Sequence, residues 1–230
     1  MGQSLLFADI DGTLVFRSLE QWLLTFMRKE KLIRYRQIGW DSYKHIFQWP
    51  PHKWYMWKLV YLQGHHEEEV HEWIQACWTE YIQPALIPES VQLVQRLRDQ
   101  GVRVILLSGT FSALAEPLRE YLNINETIFA VPDIKNHRYT GGLVDPHPRG
   151  MQKVHDVNRW LDRHQRSWEG TLAMADHWED RHLLLKTDFP VAVHPKPKLS
   201  KLARKKGWAV LSGLQDLDRI SELVTQYVHP

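Results

Sequence analysis

The segment Leu5-Leu6-Phe7-Ala8-Asp9-Ile10-Asp11-Gly12-Thr13 narrows the possible folds of this chain more than any other. Four apolar residues without a polar interruption read as a short strand buried on both faces, the kind found at the centre of a parallel sheet. Two carboxylates one residue apart close the strand, and Gly12 marks a turn. In open α/β sheets ligands bind outside the carboxyl ends of the strands. Asp9 and Asp11 therefore stand at a functional rim.

Further short apolar runs follow at Val102–Leu107, Thr127–Val131, Thr171–Ala175, Val191–Val193 and Trp208–Leu211, each bounded by turn-forming or polar residues. Helical patterns lie between them, at Glu89–Gln100 with Gly101 as its stop, Ser112–Leu122, Met151–His164, Glu179–Lys186 and Leu199–Lys206. This alternation predicts an α/β fold, a doubly wound parallel sheet covered on both faces. Two stretches depart from it. Residues 135–145 read as a hairpin beside the sheet. Residues 17–84 contain no strand pattern and read as about four helices, with breaks near Gly39, Pro50-Pro51 and Gly64 and a stop at Pro84. The expected division is an α/β core of residues 1–16 and 85–230 and an inserted helical cap of residues 17–84.

A length of 230 residues suits one domain with an insertion, and 43% hydrophobic content supplies a normal core. The formal net charge of +2 gives no argument for nucleic acid. The single cysteine, Cys77, excludes an internal disulfide framework and fits a reducing, cytoplasmic compartment. No apolar run is long enough to cross a membrane as a helix.

The other strand ends carry complementary groups. Ser108 and Gly109 follow Val102–Leu107, Asp176 follows Thr171–Ala175 with Asp180 one helical turn later, and Lys153 opens the helix after Gly150. These are the parts for phosphoryl transfer through an aspartyl-phosphate. Phosphate and carboxylates are all anionic, so a hard cation is needed to hold them together, and oxygen ligands point to Mg²⁺. Asp9 and Asp176 are candidate direct ligands. Ser108 and neighbouring amides are placed to hold phosphate oxygens, Lys153 adds a positive charge, and Asp11 is placed for acid/base work. Taken singly, Ser108 would also serve as a helix cap and Asp176 and Asp180 as helix-start acids.

In this order the motifs resemble the haloacid dehalogenase-like superfamily, in its phosphoserine-phosphatase-like branch. The resemblance covers most of residues 4–211: Asp9–Thr13, Ser108, Lys153 and the acidic pair Asp176 and Asp180, together with Arg138-Tyr139-Thr140-Gly141 and Ala192-Val193-His194-Pro195. It implies a Rossmann-like core with a C1-type helical cap and a phosphatase acting on a small phosphate monoester. Asp9 would be the nucleophile and Asp11 the acid/base. Mg²⁺ would be held by Asp9, the main-chain carbonyl of Asp11, and Asp176, with Asp180 behind them and Ser108, Gly109 and Lys153 on the phosphate. Three positions depart from the family pattern. His177 stands where Ser is usual, and His194 where Asn is frequent. The cap glutamate that recognises phosphoserine aligns with Ser18, with Glu20 two residues out of register, so the resemblance does not extend to phosphoserine as substrate. A phosphate-binding or partner-binding module with little catalysis, and a phosphotransferase, are the alternatives.

Seven of the 11 tryptophans fall between residues 17 and 84. Core packing of the insertion is the expected use of these residues. An aromatic pocket facing the site, or peripheral membrane contact by Trp54–Tyr61, are the sharper options. His65-His66 with Glu67–Glu69 reads as a loop and a helix start.

Overall fold

The computed structural model describes residues 3–32 and 58–228. In chain order its strands are β1 (Leu5–Ala8), β2 (Arg103–Phe111), β3 (Glu126–Ala130), β4 (Pro132–Lys135), β5 (Arg138–Leu143), β6 (Thr171–Ala175), β7 (Phe189–Val193) and β8 (Ala209–Leu211). The described helices are α1 (Leu19–Lys29), α2 (Glu67–Cys77), α3 (Pro88–Asp99), α4 (Ser112–Tyr121), α5 (Met151–Arg163), α6 (Arg181–Leu184), α7 (Pro197–Lys206) and α8 (Leu217–Val228).

Six strands form a parallel sheet in the order β3-β2-β1-β6-β7-β8. The chain winds outward from β1 in one direction through β2 and β3, then returns to β6 and winds outward in the other. The switch point between β1 and β6 is where such sheets open a crevice. β1 is buried on both faces, as its unbroken apolar run requires. Leu6 and Ala8 join the core beneath α3, α4 and α8, while Leu5 and Phe7 join the core beneath α5, α6 and α7. Phe7 meets Trp160 of α5 edge-on, with ring centroids 6.0 Å apart at 86°, a contact worth about 1 kcal/mol beyond its buried area.

β2 runs past Leu107 to Phe111, further than its apolar run implies. Its register with β3 breaks between Leu107 and Phe111, and its ladder with β1 ends at Leu106. Ser108, Gly109 and Thr110 therefore project beyond β1 even though they continue the strand. The helix expected at Glu179–Lys186 is a 3₁₀ turn, Trp178–Asp180, followed by the four residues of α6. The hairpin β4–β5 lies within a residue or three of its expected place. Beyond the reach of the sequence motifs, α8 closes the fold against α3 through Leu217, Ile220 and Val224.

Between β1 and α3 the described residues give two α-helices, a 3₁₀ turn at Val60–Leu62, a wide π-type turn at Trp78–Ile82 and a 3₁₀ turn at Gln83–Ala85 that contains Pro84. Gly64, with φ +82°, precedes α2, and His66 caps it by accepting from the Glu68 amide. Trp40, Trp49, Trp54 and Trp57, and the breaks near Gly39 and Pro50-Pro51, lie outside the described residues. The tryptophans that are described pack as expected. Trp73 is buried beside Val70, Ile74 and Cys77, and Trp22 stacks on Tyr81 at 5.8 Å.

Two seams join this stretch to the core. At its roots the Phe16 amide donates to the Ala85 carbonyl and the Ile87 amide to the Leu14 carbonyl. Farther out, residues 59–67 bond along β5, where the Leu59 amide donates to Gly141 and the Tyr139 amide to His65. No described helix is long and apolar enough to cross a membrane.

Candidate active site

The carboxyl ends of β1, β2 and β6 converge on one cleft of about 740 Å³. Asp9, Asp11, Gly109, Lys153, Asp176 and Asp180 all line it. Residues from four separate parts of the sequence thus meet on one rim.

The turn after Asp9 is set by three amides, of Thr13, Leu14 and Val15, that share the Ile10 carbonyl. This places the Thr13 hydroxyl 2.9 Å from Asp9 Oδ2, to which it donates. Lys153 Nζ, on the first turn of α5, lies 2.7 Å from Asp9 Oδ1 and 2.9 Å from Asp180 Oδ1. All three groups are at least nine-tenths buried. Burial pushes the Asp9 carboxyl up to about 7; Lys153 opposes the rise, and Asp180 and Asp11 add to it. Burial alone would lower Lys153, but Asp180 and Asp9 outweigh it and hold the ammonium above its ordinary range. The site has more negative charge than one lysine neutralises.

Asp176 makes the same point. Burial raises its carboxyl, with Lys196 Nζ opposing from 3.1 Å. Its Oδ1 is buried and has no hydrogen-bond partner among the described residues. Gly12, with φ +83°, passes so close that a Cβ there would lie 2.5 Å from Asp176 Oδ2. The donor set is all hard oxygen, as Mg²⁺ prefers. No group of three His, Cys, Asp or Glu side chains forms a ready-made metal site among the described residues. Asp9 and Asp176 offer two carboxylates on the cleft, and Mg²⁺ is ordinarily bound through one or two carboxylates with several waters retained.

Asp11 is held from three sides. Its Oδ2 accepts from the hydroxyls of Ser108 at 3.0 Å and Thr110 at 2.9 Å, and its Oδ1 from the Leu19 amide at 2.8 Å. Ser108 is fully buried with its hydroxyl turned to Asp11, and its oxygen accepts from the Thr110 amide. The serine thus sits behind the cleft in this arrangement, and Gly109 forms the wall. A Cβ on Gly109 would meet His147 and the Pro148 carbonyl at 3.0 Å.

His177 lines the cleft and caps the following 3₁₀ turn by accepting from the Glu179 amide. His194 also lines it, with Nε2 2.6 Å from Glu89 Oε1 and φ +37°. Ser18 is the N-cap of α1 in a capping box with Gln21. Glu20, despite its register, reaches the cleft and pairs with Lys58 at 2.8 Å. Lys58 Nζ also donates to the Gly109 carbonyl at 2.6 Å, tying the residues before α2 to the end of β2.

Thr110, Lys58, His147, Arg149 and Lys196 escaped the sequence reading. Lys58 had a visible signal, as the lone charge in Trp54–Tyr61. Lys196 sits one residue beyond the stretch Ala192–Pro195 that was singled out. Thr110 directly follows the Ser108-Gly109 strand end, whereas His147 and Arg149 had no signal, because loop residues acquire their partners only through the fold.

Comparisons with known proteins bear on the family and the fold. The model of the haloacid dehalogenase-like hydrolases matches residues 6–185. A histidinol-phosphatase of Neisseria meningitidis is 30% identical over 67% of this chain and 71% of its own. The phosphoserine phosphatase SerB1 of Mycobacterium tuberculosis is 25% identical over 66% of this chain, which spans about half of that longer relative (49%). A Bordetella pertussis protein of unknown function superposes with a TM-score of 0.80 at 22% identity, over 92% of this chain and 99% of its own. A phosphoserine phosphatase in a phospho-aspartyl intermediate analogue form superposes at 0.63 and 17% identity, over 97% and 99%. With its motifs gathered on one cleft and the family model spanning most of its length, this chain belongs to the haloacid dehalogenase-like hydrolases and is a phosphatase-type enzyme of the phosphoserine-phosphatase-like branch.

Proposed function

We propose that the protein is a magnesium-dependent phosphatase that hydrolyses a small phosphate monoester through a phospho-Asp9 intermediate. The observation that carries this reading is the meeting of Asp9, Asp11, Lys153 and Asp176 on one cleft at the switch point of the sheet. Asp9, the main-chain carbonyl of Asp11, and Asp176 would hold Mg²⁺, which when bound supplies the positive charge that lets phosphate approach carboxylates.

One Asp9 oxygen attacks phosphorus as the bond to the alcohol oxygen breaks. Asp11 gives that oxygen a proton. Asp11 then takes a proton from water, whose oxygen attacks phosphorus, freeing phosphate and the Asp9 carboxylate. Lys153 orients Asp9 and faces the charge gathering on the transferring oxygens. Residues 17–84 act as a cap that excludes water during attack and sets specificity.

Two relatives are named for histidinol phosphate and phosphoserine, both amine-bearing phosphate monoesters. Glu20 offers a carboxylate for such an amine on the cap side of the cleft. One buried cysteine suits a reducing, cytoplasmic setting.

The test is phosphate release from an aryl phosphate and from amine-bearing phosphate monoesters, with and without Mg²⁺. Asp9→Asn is expected to abolish release while melting like the wild type. Turnover by a folded Asp9→Asn protein refutes the nucleophile, and turnover in chelator refutes the metal.

A further inference from the structure

A second groove, of about 330 Å³, lies on the open edge of the sheet. One wall is β3, an edge strand whose outer side has no neighbour among the described strands of the sheet, with Ile128 half-buried on the face that α5 covers. The opposite wall is α5, with Asp156, Arg159 and Arg163 one turn apart. The 145–148 loop closes the end nearest the catalytic cleft, and Pro148 lines both cavities.

Asp156 is 6% exposed, and its Oδ1 accepts from Gln152 at 2.8 Å and from Arg159 at 2.5 Å. Its Oδ2 is buried with no hydrogen-bond partner among the described residues. A carboxylate oxygen left in that state costs about 1–3 kcal/mol, more than a neutral group would, so the groove is short of one donor. Arg159, 63% exposed along its side chain, pairs with Oδ1 and leaves Oδ2 to a further donor. Arg163 is exposed and makes no ion pair among the described residues. The groove thus offers an acceptor lacking a donor, a guanidinium lacking an anion, and an apolar wall between strand and helix.

We propose that this groove binds a free apolar α-amino acid. Its ammonium group donates to Asp156 Oδ2, its carboxylate pairs with Arg163, and its side chain lies on Ile128. A zwitterion is the ligand class that gives the buried Asp156 oxygen a donor and the exposed Arg163 an anion in one molecule. This site is separate from the catalytic cleft and does not depend on the reaction assigned there.

The test is calorimetric titration of the full chain with L-leucine and L-phenylalanine, using 4-methylpentanoate and 3-methylbutylamine as probes that each lack one charge. Wild type and Asp9→Asn are expected to bind the amino acids equally. Asp156→Asn and Arg163→Gln are each expected to bind at least about tenfold more weakly, as is each half-probe on wild type, tenfold being 1.4 kcal/mol. Arg163 is exposed, so its variant reports even where Asp156→Asn fails to fold. Absence of binding at about 10 mM, a limit near −2.7 kcal/mol, overturns the site. Unchanged affinity in Arg163→Gln, or loss of binding in Asp9→Asn, overturns it as well.

Discussion

Gly12→Ala separates two costs that the structure superimposes. The first is backbone strain. Gly12 has φ +83°, and an L-residue there costs about 1–2 kcal/mol, of which roughly 0.4–1 is returned by the stiffer unfolded chain. The second is collision. The new Cβ would sit 2.5 Å from Asp176 Oδ2 and 2.7 Å from its Cγ, so the carboxylate has to turn. Asp176 is 3% exposed and paired to Lys196, so turning it costs about 1 kcal/mol in rotamer strain and about 1 more in the lost contact. The sum is about 2–3 kcal/mol, or a melting temperature roughly 4–12 °C lower for a chain of this size. In an Asp176→Ala background the collision is gone, and Gly12→Ala should then cost about 1 kcal/mol or less. Urea unfolding of the four proteins in the cycle measures both parts. Equal cost of Gly12→Ala in the two backgrounds refutes the contact between the Gly12 turn and Asp176.

Other consequences follow from groups around the cleft. Burial, with Lys58 and Arg149 nearby, lowers His147 from 6.5 to about 4. The unfolded chain therefore binds the extra proton first, so this contribution is complete above pH 6.5 and is lost as pH falls through 4. After discounting for the ring's partial exposure it is about 1–2 kcal/mol. The wild-type minus His147→Gln difference in unfolding free energy should rise with pH across that window, and a flat difference refutes it; the Asp9 contribution, of opposite sign, cancels. Lys58→Met leaves Glu20 without its cation and should destabilise by about 2 kcal/mol, falling below about 1 in a Glu20→Gln background. Additive losses in denaturant titrations contradict the pairing. Cys77 is fully buried and its thiol is pushed up to about 12. Its modification by an aromatic disulfide should track global unfolding in denaturant, and rapid reaction with the native protein contradicts that burial.

The legible part of this molecule was its strand ends. An apolar run fixes where a strand stops, and in a parallel sheet every such stop lies on the same rim, so Asp9, Ser108 and Asp176 could be grouped before any coordinates. Lys153 was legible for a related reason, since Gly150 marks the helix start that brings it there. The orientation of Ser108 was not legible, because it depends on the register break that carries β2 past β1. Glu20 was set aside on register, yet Ser18 is occupied in capping α1 and the helix turns Glu20 into the cleft. Lys58 donates to Gly109, 51 positions away, and pairs with Glu20 across α1; contacts of that range are created by the fold, and no local pattern encodes them.

The three donors on Asp11 differ in what they can give up. Ser108 and Thr110 reach Oδ2 through hydroxyls, which rotate and accept as readily as they donate. Leu19 reaches Oδ1 through a main-chain amide, which only donates. A proton arriving on Oδ2 is met by two rotors that reverse; one arriving on Oδ1 breaks the bond to the first residue of α1. The two oxygens of one carboxyl are therefore not equivalent. Oδ2 can exchange protons with the helix at rest, whereas traffic through Oδ1 requires the amino end of α1 to lift away.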